Sequence, residues 1–160
     1  MRYFILSVFL CSLVLPVSAQ NQNERDEYMQ LFSVKGDYAD VREDLEMAIT
    51  DRGMIINNIS HIGNMLARTR KDIGGKQIFG RAESLEFCSS VVSRHMMEAD
   101  PRNIVFCPYI ISIYTLPGEK NRVYLAYRRP LPVGSPASKK SLQTVEKMLH
   151  DIVSDVLTAE

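Results

Sequence analysis

The chain has 160 residues, 46% of them hydrophobic and 24% charged, which is the length of one domain with enough apolar mass for a real core. Its 19 Lys and Arg are balanced by 19 Asp and Glu. That balance excludes the basic surface that nucleic acid or an anionic membrane would need, so neither is an expected partner.

Arg2 is the sole charge before Glu24, and Tyr3 to Pro16 is an apolar run too short to span a bilayer comfortably. Val17-Ser18-Ala19 then sets small residues where a signal peptidase reads, so residues 1–19 are expected to be a cleaved signal peptide and the mature protein periplasmic. Cleavage removes Arg2 and Cys11, leaving 18 basic and 19 acidic side chains and two cysteines, Cys88 and Cys107. An even cysteine count in an oxidising compartment favours a disulfide over two free thiols.

Residues 20–27 are wholly polar and are expected to be a disordered lead-in. Tyr28 to Val34 is a candidate strand, closed by the turn cluster Lys35-Gly36-Asp37. Asp37 or Asp40 then caps a surface helix with Val41, Leu45, Ala48 and Ile49 on one stripe, ended by Gly53 as a left-handed cap. Met54 to Ile59 predicts a strand, followed by His61 as a solvent-exposed turn residue. Gly63 to Ile73 predicts a short helix with Met65, Leu66 and Ile73 apolar and a solvated basic face of Arg68, Arg70 and Lys71; Gly74-Gly75 breaks it.

Gln77 to Phe87 predicts a strand, irregular at Gly80. Ser89 or Ser90 caps a helix carrying Val91, Val92, His95, Met96 and Ala99, which Asp100-Pro101 stops. Cys88 lies just ahead of that helix start, where unpaired amides and the positive end of the dipole favour thiolate. His95 and Met96 are the residues a soft metal site would use, although methionines at helical spacing more often fill a core.

Ile104 to Leu116 predicts the strongest strand, with Val105, Cys107, Tyr109, Ile111 and Ile113 on one side and Ile104, Phe106, Ile110 and Tyr114 on the other. Pro108 inside it marks an edge or a bulge. Pro117 to Asn121 forms a hairpin loop into the strand Arg122 to Arg129, where Val123, Leu125 and Tyr127 alternate with Arg122, Tyr124, Ala126 and Arg128. Residues 131–140 form a Pro/Gly/Ser linker, and Ser141 caps an amphipathic helix over 141–160. Its wide stripe of Leu142, Val145, Leu149, Ile152 and Val156 must be covered, by the protomer's own sheet or in a dimer seam.

This succession of elements resembles the DUF302 domain over about residues 28–130. The resemblance rests on Gly53-Met54 between helix and strand, the turn Cys88-Ser89-Ser90, the strand start Phe106-Cys107-Pro108-Tyr109 and the hairpin close Tyr127-Arg128-Arg129-Pro130. The asparagine and proline that commoner branches carry in the first turn are absent. What the resemblance implies is a TATA-binding-protein-like α+β fold: an antiparallel curved sheet with helices packed on one face, often seen as dimers, here with the C-terminal helix added. It implies no reaction.

Three functions compete. A non-catalytic exported module would bind a small ligand or periplasmic protein through Tyr109, Tyr114, Tyr124 and Tyr127, whose rings and hydroxyls suit recognition. A thiol-based redox or sulfur-handling protein would use Cys88 as attacking and Cys107 as resolving thiol, although a Cys-x-x-Cys motif is absent. A metal or haem accessory protein would add His95 or Met96. The first is favoured, with no cofactor and with Cys88 and Cys107 as a disulfide. No phosphate loop, Ser-His-Asp context or paired zinc-ligand spacing points to an enzyme.

Overall fold

The computed structural model describes residues 24–159, so the expected signal peptide lies outside the described residues. Elements follow in the order β1 (Glu24–Arg25), β2 (Met29–Lys35), α1 (Tyr38–Thr50), β3 (Ile55–Ser60), α2 (Ile62–Ile73), β4 (Ala82–Cys88), α3 (Ser90–Ala99), a 3-10 helix (Pro101–Phe106), β5 (Tyr109–Tyr114), β6 (Arg122–Arg128) and α4 (Pro136–Thr158). The strands form one antiparallel sheet in the order β1-β2-β6-β5-β4-β3. The fold is α+β, an antiparallel sheet with helices, as the family resemblance implies.

Period-2 alternation decides which side of the sheet is dry. Phe32 and Val34 of β2, Leu85 and Phe87 of β4, Ile111 and Ile113 of β5, and Val123 and Leu125 of β6 all enter one core. Val41, Leu45 and Ile49 of α1, Met96 of α3 and Leu142, Val145, Leu149, Ile152 and Val156 of α4 cover them from one side. The apolar stripe of α4 is therefore consumed within the protomer. Asp37 caps α1 through its side chain, which accepts from the Ala39 amide at 2.7 Å, and Gly53 follows the helix at φ +71°.

Several boundaries differ from the sequence expectation. Glu24–Arg25, inside the polar stretch expected to be disordered, pairs with Leu31 and Gln30, and Asp26 closes the turn by accepting from the Tyr28 and Met29 amides. The strand expected over 77–87 begins only at Ala82. Residues before it form a loop, tied to the sheet where the Gly80 amide donates to the Thr115 carbonyl at 2.9 Å.

The long strand expected from Ile104 is divided. Pro101 starts a 3-10 helix, Asp100 caps it by accepting from the Arg102 amide, and the Cys107 amide donates to the Ile104 carbonyl. The start signal of Asp-Pro outweighs the β-branched composition of Ile104-Val105, and both side chains are left exposed. Beyond Pro108 the expected alternation holds: Tyr109, Ile111 and Ile113 are buried, and Ile110 and Tyr114 are half-buried on the other side.

The linker is also shorter and the last helix longer than expected. Ser135, not Ser141, is the cap: its hydroxyl accepts from the Ser138 amide, and Pro136 occupies the first turn, where a missing N–H costs nothing.

Candidate functional site: a thiol pair beside α3

Strand β4 ends on Cys88, paired in register with Ile55 of β3, and Ser89 immediately caps α3 through its hydroxyl. The 3-10 helix delivers Cys107 to the same corner, next to a cis peptide bond to Pro108. The two sulfurs stand 3.5 Å apart. Both cysteines are free and half-buried, so the expected disulfide is not formed; a covalent bond needs about 2.05 Å. Two residues 19 positions apart along the chain are nonetheless brought into contact.

Ser93, one turn into α3, completes the cluster. Its hydroxyl lies 3.3 Å from the Cys107 sulfur and 3.0 Å from the Tyr109 hydroxyl. Burial, then the contact with Cys107, pushes the Cys88 thiol up to about 11, and the Tyr109 backbone amide draws it back only in part. This reverses the expectation that the start of α3 would favour a Cys88 thiolate. Desolvation beside a second sulfur wins over the helix end. Burial likewise raises the Tyr109 phenol to about 12. The sequence does not single out Ser93, since a serine inside a helix reads as an ordinary polar surface position.

The four tyrosines do not share one surface. Tyr109 and Tyr127 are buried at 2% exposure on the helix-covered side. Tyr114 and Tyr124 lie on the opposite side and stack on each other, with ring centroids 5.1 Å apart. Phe79 meets Tyr114 edge-on at 5.3 Å. The metal candidates separate in the same way: Met96 is fully buried in the core while His95 is exposed, because consecutive helical residues point about 100° apart. Among the described residues no group of three or more His, Cys, Asp and Glu side chains could hold a metal ion.

A second polar cluster escapes the sequence pattern. Glu83 of β4 accepts from the Arg42 guanidinium of α1 and from His61 Nδ1, the latter at 2.8 Å. Burial pushes the Glu83 carboxyl up, but the hydrogen bonds from Arg42 and His61 together outweigh it and hold it below the usual range. His61 is solvent-exposed at the entry to α2, as expected, and in addition bonds to Glu83.

Fold and site together define an antiparallel α+β domain with two half-buried cysteines in contact at one end of its sheet. A family profile described as "Domain of unknown function DUF302" matches residues 31–156, and the chain belongs to that family. The match continues beyond residue 130 through most of α4, which the sequence resemblance left outside. Among solved structures, the uncharacterized conserved protein DUF302 from Bacillus stearothermophilus is similar, with a TM-score of 0.67 at 16% identity over 81% of this chain and 98% of that chain. Identity that low shows a shared fold alone. Among curated proteins none matches. No helix among the described residues is long and apolar enough to cross a membrane.

Proposed function

We propose that the protein is an exported, non-catalytic interaction module of the DUF302 family whose Cys88 and Cys107 close into a disulfide in an oxidising compartment. The observation that carries this is the 3.5 Å separation of the sulfurs, within reach of a bond by a small side-chain adjustment. Closure proceeds by exchange with a disulfide-bearing oxidant. One thiolate attacks the oxidant's disulfide to give a mixed disulfide and the second displaces the remaining oxidant sulfur, so the two oxidant sulfurs leave as thiols and take up, through solvent, the two protons that the cysteines give up.

A thiol held at about 11 is protonated at neutral pH and is a poor nucleophile, which supports a staple over a reactive centre. Protein recovered from the export compartment into N-ethylmaleimide is expected to take no label and to weigh two hydrogens less than the reduced chain. After reduction, Cys88 in the folded protein is expected to alkylate at pH 8 about a hundredfold more slowly than in the unfolded chain. Two labelled cysteines in freshly exported protein would overturn the proposal.

Thiol-based sulfur handling is the second reading, favoured by the Ser93 hydroxyl at 3.3 Å, which can donate to a Cys107 thiolate. It requires a disulfide that mild reductant opens, with Cys107 alkylating ahead of Cys88.

A further inference from the structure

Helix α2 buries no residue. After it the chain turns through Gly74 and Gly75, at φ +76° and +113°, and residues 76–80 return alongside. Helix and loop enclose a concave slot of about 350 Å³, within the range of small-molecule pockets. Its apolar wall is Leu66, Ala67 and Ile73 from α2 with Ile78 and Phe79 from the loop. Ile73 and Ile78 are 81% and 50% exposed, so this wall of the slot is open to a ligand.

The charges of the slot are of one sign. Arg70 and Lys76 are the only ionisable side chains in its wall, and neither forms an ion pair among the described residues. By contrast Arg42, Arg52, Arg102 and Arg129 each hold a carboxylate. Apolar walls with unpaired cations favour a molecule that has a hydrocarbon body and a negative head. The slot runs along α2 from Gly63 to its carbonyl end, so the two cationic side chains, and not the helix dipole, would hold a negative head. Phe79, the one aromatic ring in the wall, already rests edge-on against Tyr114, so a stacking nucleotide base is a poor match. A bilayer would need a convex face, and this one is concave.

We infer that the slot between α2 and residues 74–80 binds a free single-chain amphiphile with a monoanionic head, such as a medium-chain carboxylate, with Arg70 and Lys76 receiving the head group. The slot is separate from the thiol pair and stands whether or not the disulfide forms.

Calorimetry on the mature protein, with sodium decanoate below its micelle concentration as probe, tests this. Saturable one-to-one binding is expected, with decyltrimethylammonium at least about tenfold weaker. The R70E/K76E double variant is expected to lose decanoate affinity by about tenfold or more while its thermal midpoint is kept. Ala67→Trp, which fills the slot, should abolish binding of the same probe. A Cys88→Ser/Cys107→Ser variant should bind decanoate as the parent does, which separates failure of this inference from failure of the disulfide proposal. Absence of saturable binding, equal affinity for the cation, indifference to R70E/K76E, or association with phosphatidylglycerol vesicles alone would overturn it.

Discussion

Helices α2 and α4 both set apolar residues at steps of three and four, yet α4 buries seven residues and α2 buries none. The difference lies in what stands opposite. α4 crosses the core side of the sheet and packs against both α1 and α3, with Arg129 reaching Glu146 at 2.7 Å and Arg52 reaching Asp155 at 2.6 Å to fix its flanks. α2 is held mainly near its start. A Cβ on Gly63 would come within 2.9 Å of the Ala82 backbone nitrogen, so only glycine permits that approach, and His61 bonds to Glu83 just before it. Amphipathic periodicity specifies which side of a helix seeks cover, but not whether cover exists.

Substitution can break or sharpen this contrast. Ile152→Ala in α4 is expected to cost about 2 to 5 kcal/mol in urea unfolding, because a fully buried side chain leaves a cavity. Ile73→Ser in α2 should stay within about 0.5 kcal/mol. Equal costs would refute the assignment of one helix to the core and the other to the surface.

At the head of α4, Ser135→Ala should cost about 1 kcal/mol by removing the cap, whereas Ser141→Ala, inside the helix, should cost less. Thermal unfolding of the two variants in parallel decides which serine is the cap.

Acid provides a finer test. Glu83 has a lowered pKa in the fold, so its stabilising contribution is complete above the unfolded value of 4.5 and is lost as pH falls below it toward the folded value. Glu83→Gln should flatten that part of the stability profile. Amide exchange at the start of α2 should rise in acid before exchange in α4 does; the reverse order would show that the Glu83 cluster does not anchor α2.

Much of the architecture was legible because it is written locally. The stripe Val41, Leu45, Ala48 and Ile49, the cap at Ser89 and the alternation of Tyr109, Ile111 and Ile113 each depend on residues within one element, and each holds. The misread boundaries share a cause. Pro101 does stop α3 as expected but also opens the 3-10 helix behind the Asp100 cap, and Pro136, within the expected linker, opens α4 behind Ser135. The four tyrosines offered as one recognition surface do not form one, because the pleat sends Tyr109 and Tyr127 to one side and Tyr114 and Tyr124 to the other.

The candidate site divides along the same line. Cys88 and Cys107 stand out in the sequence, but the 3.5 Å contact between them, the Ser93 hydroxyl beside them and the raised pKa of Cys88 arise from separate elements meeting. The same holds for Glu83, whose partners come from α1 and from the turn before α2.

By itself, then, the amino-acid order determined the kind of each main element and the side on which it would be apolar, since short-range periodicity and capping set both. Only the tertiary structure decided that two distant sulfurs would come within 3.5 Å of each other, that burial would raise the pKa of Cys88, and that α2 would lie uncovered beside a cationic slot. Those outcomes depend on desolvation and contact between segments far apart in the chain, and no local pattern encodes them.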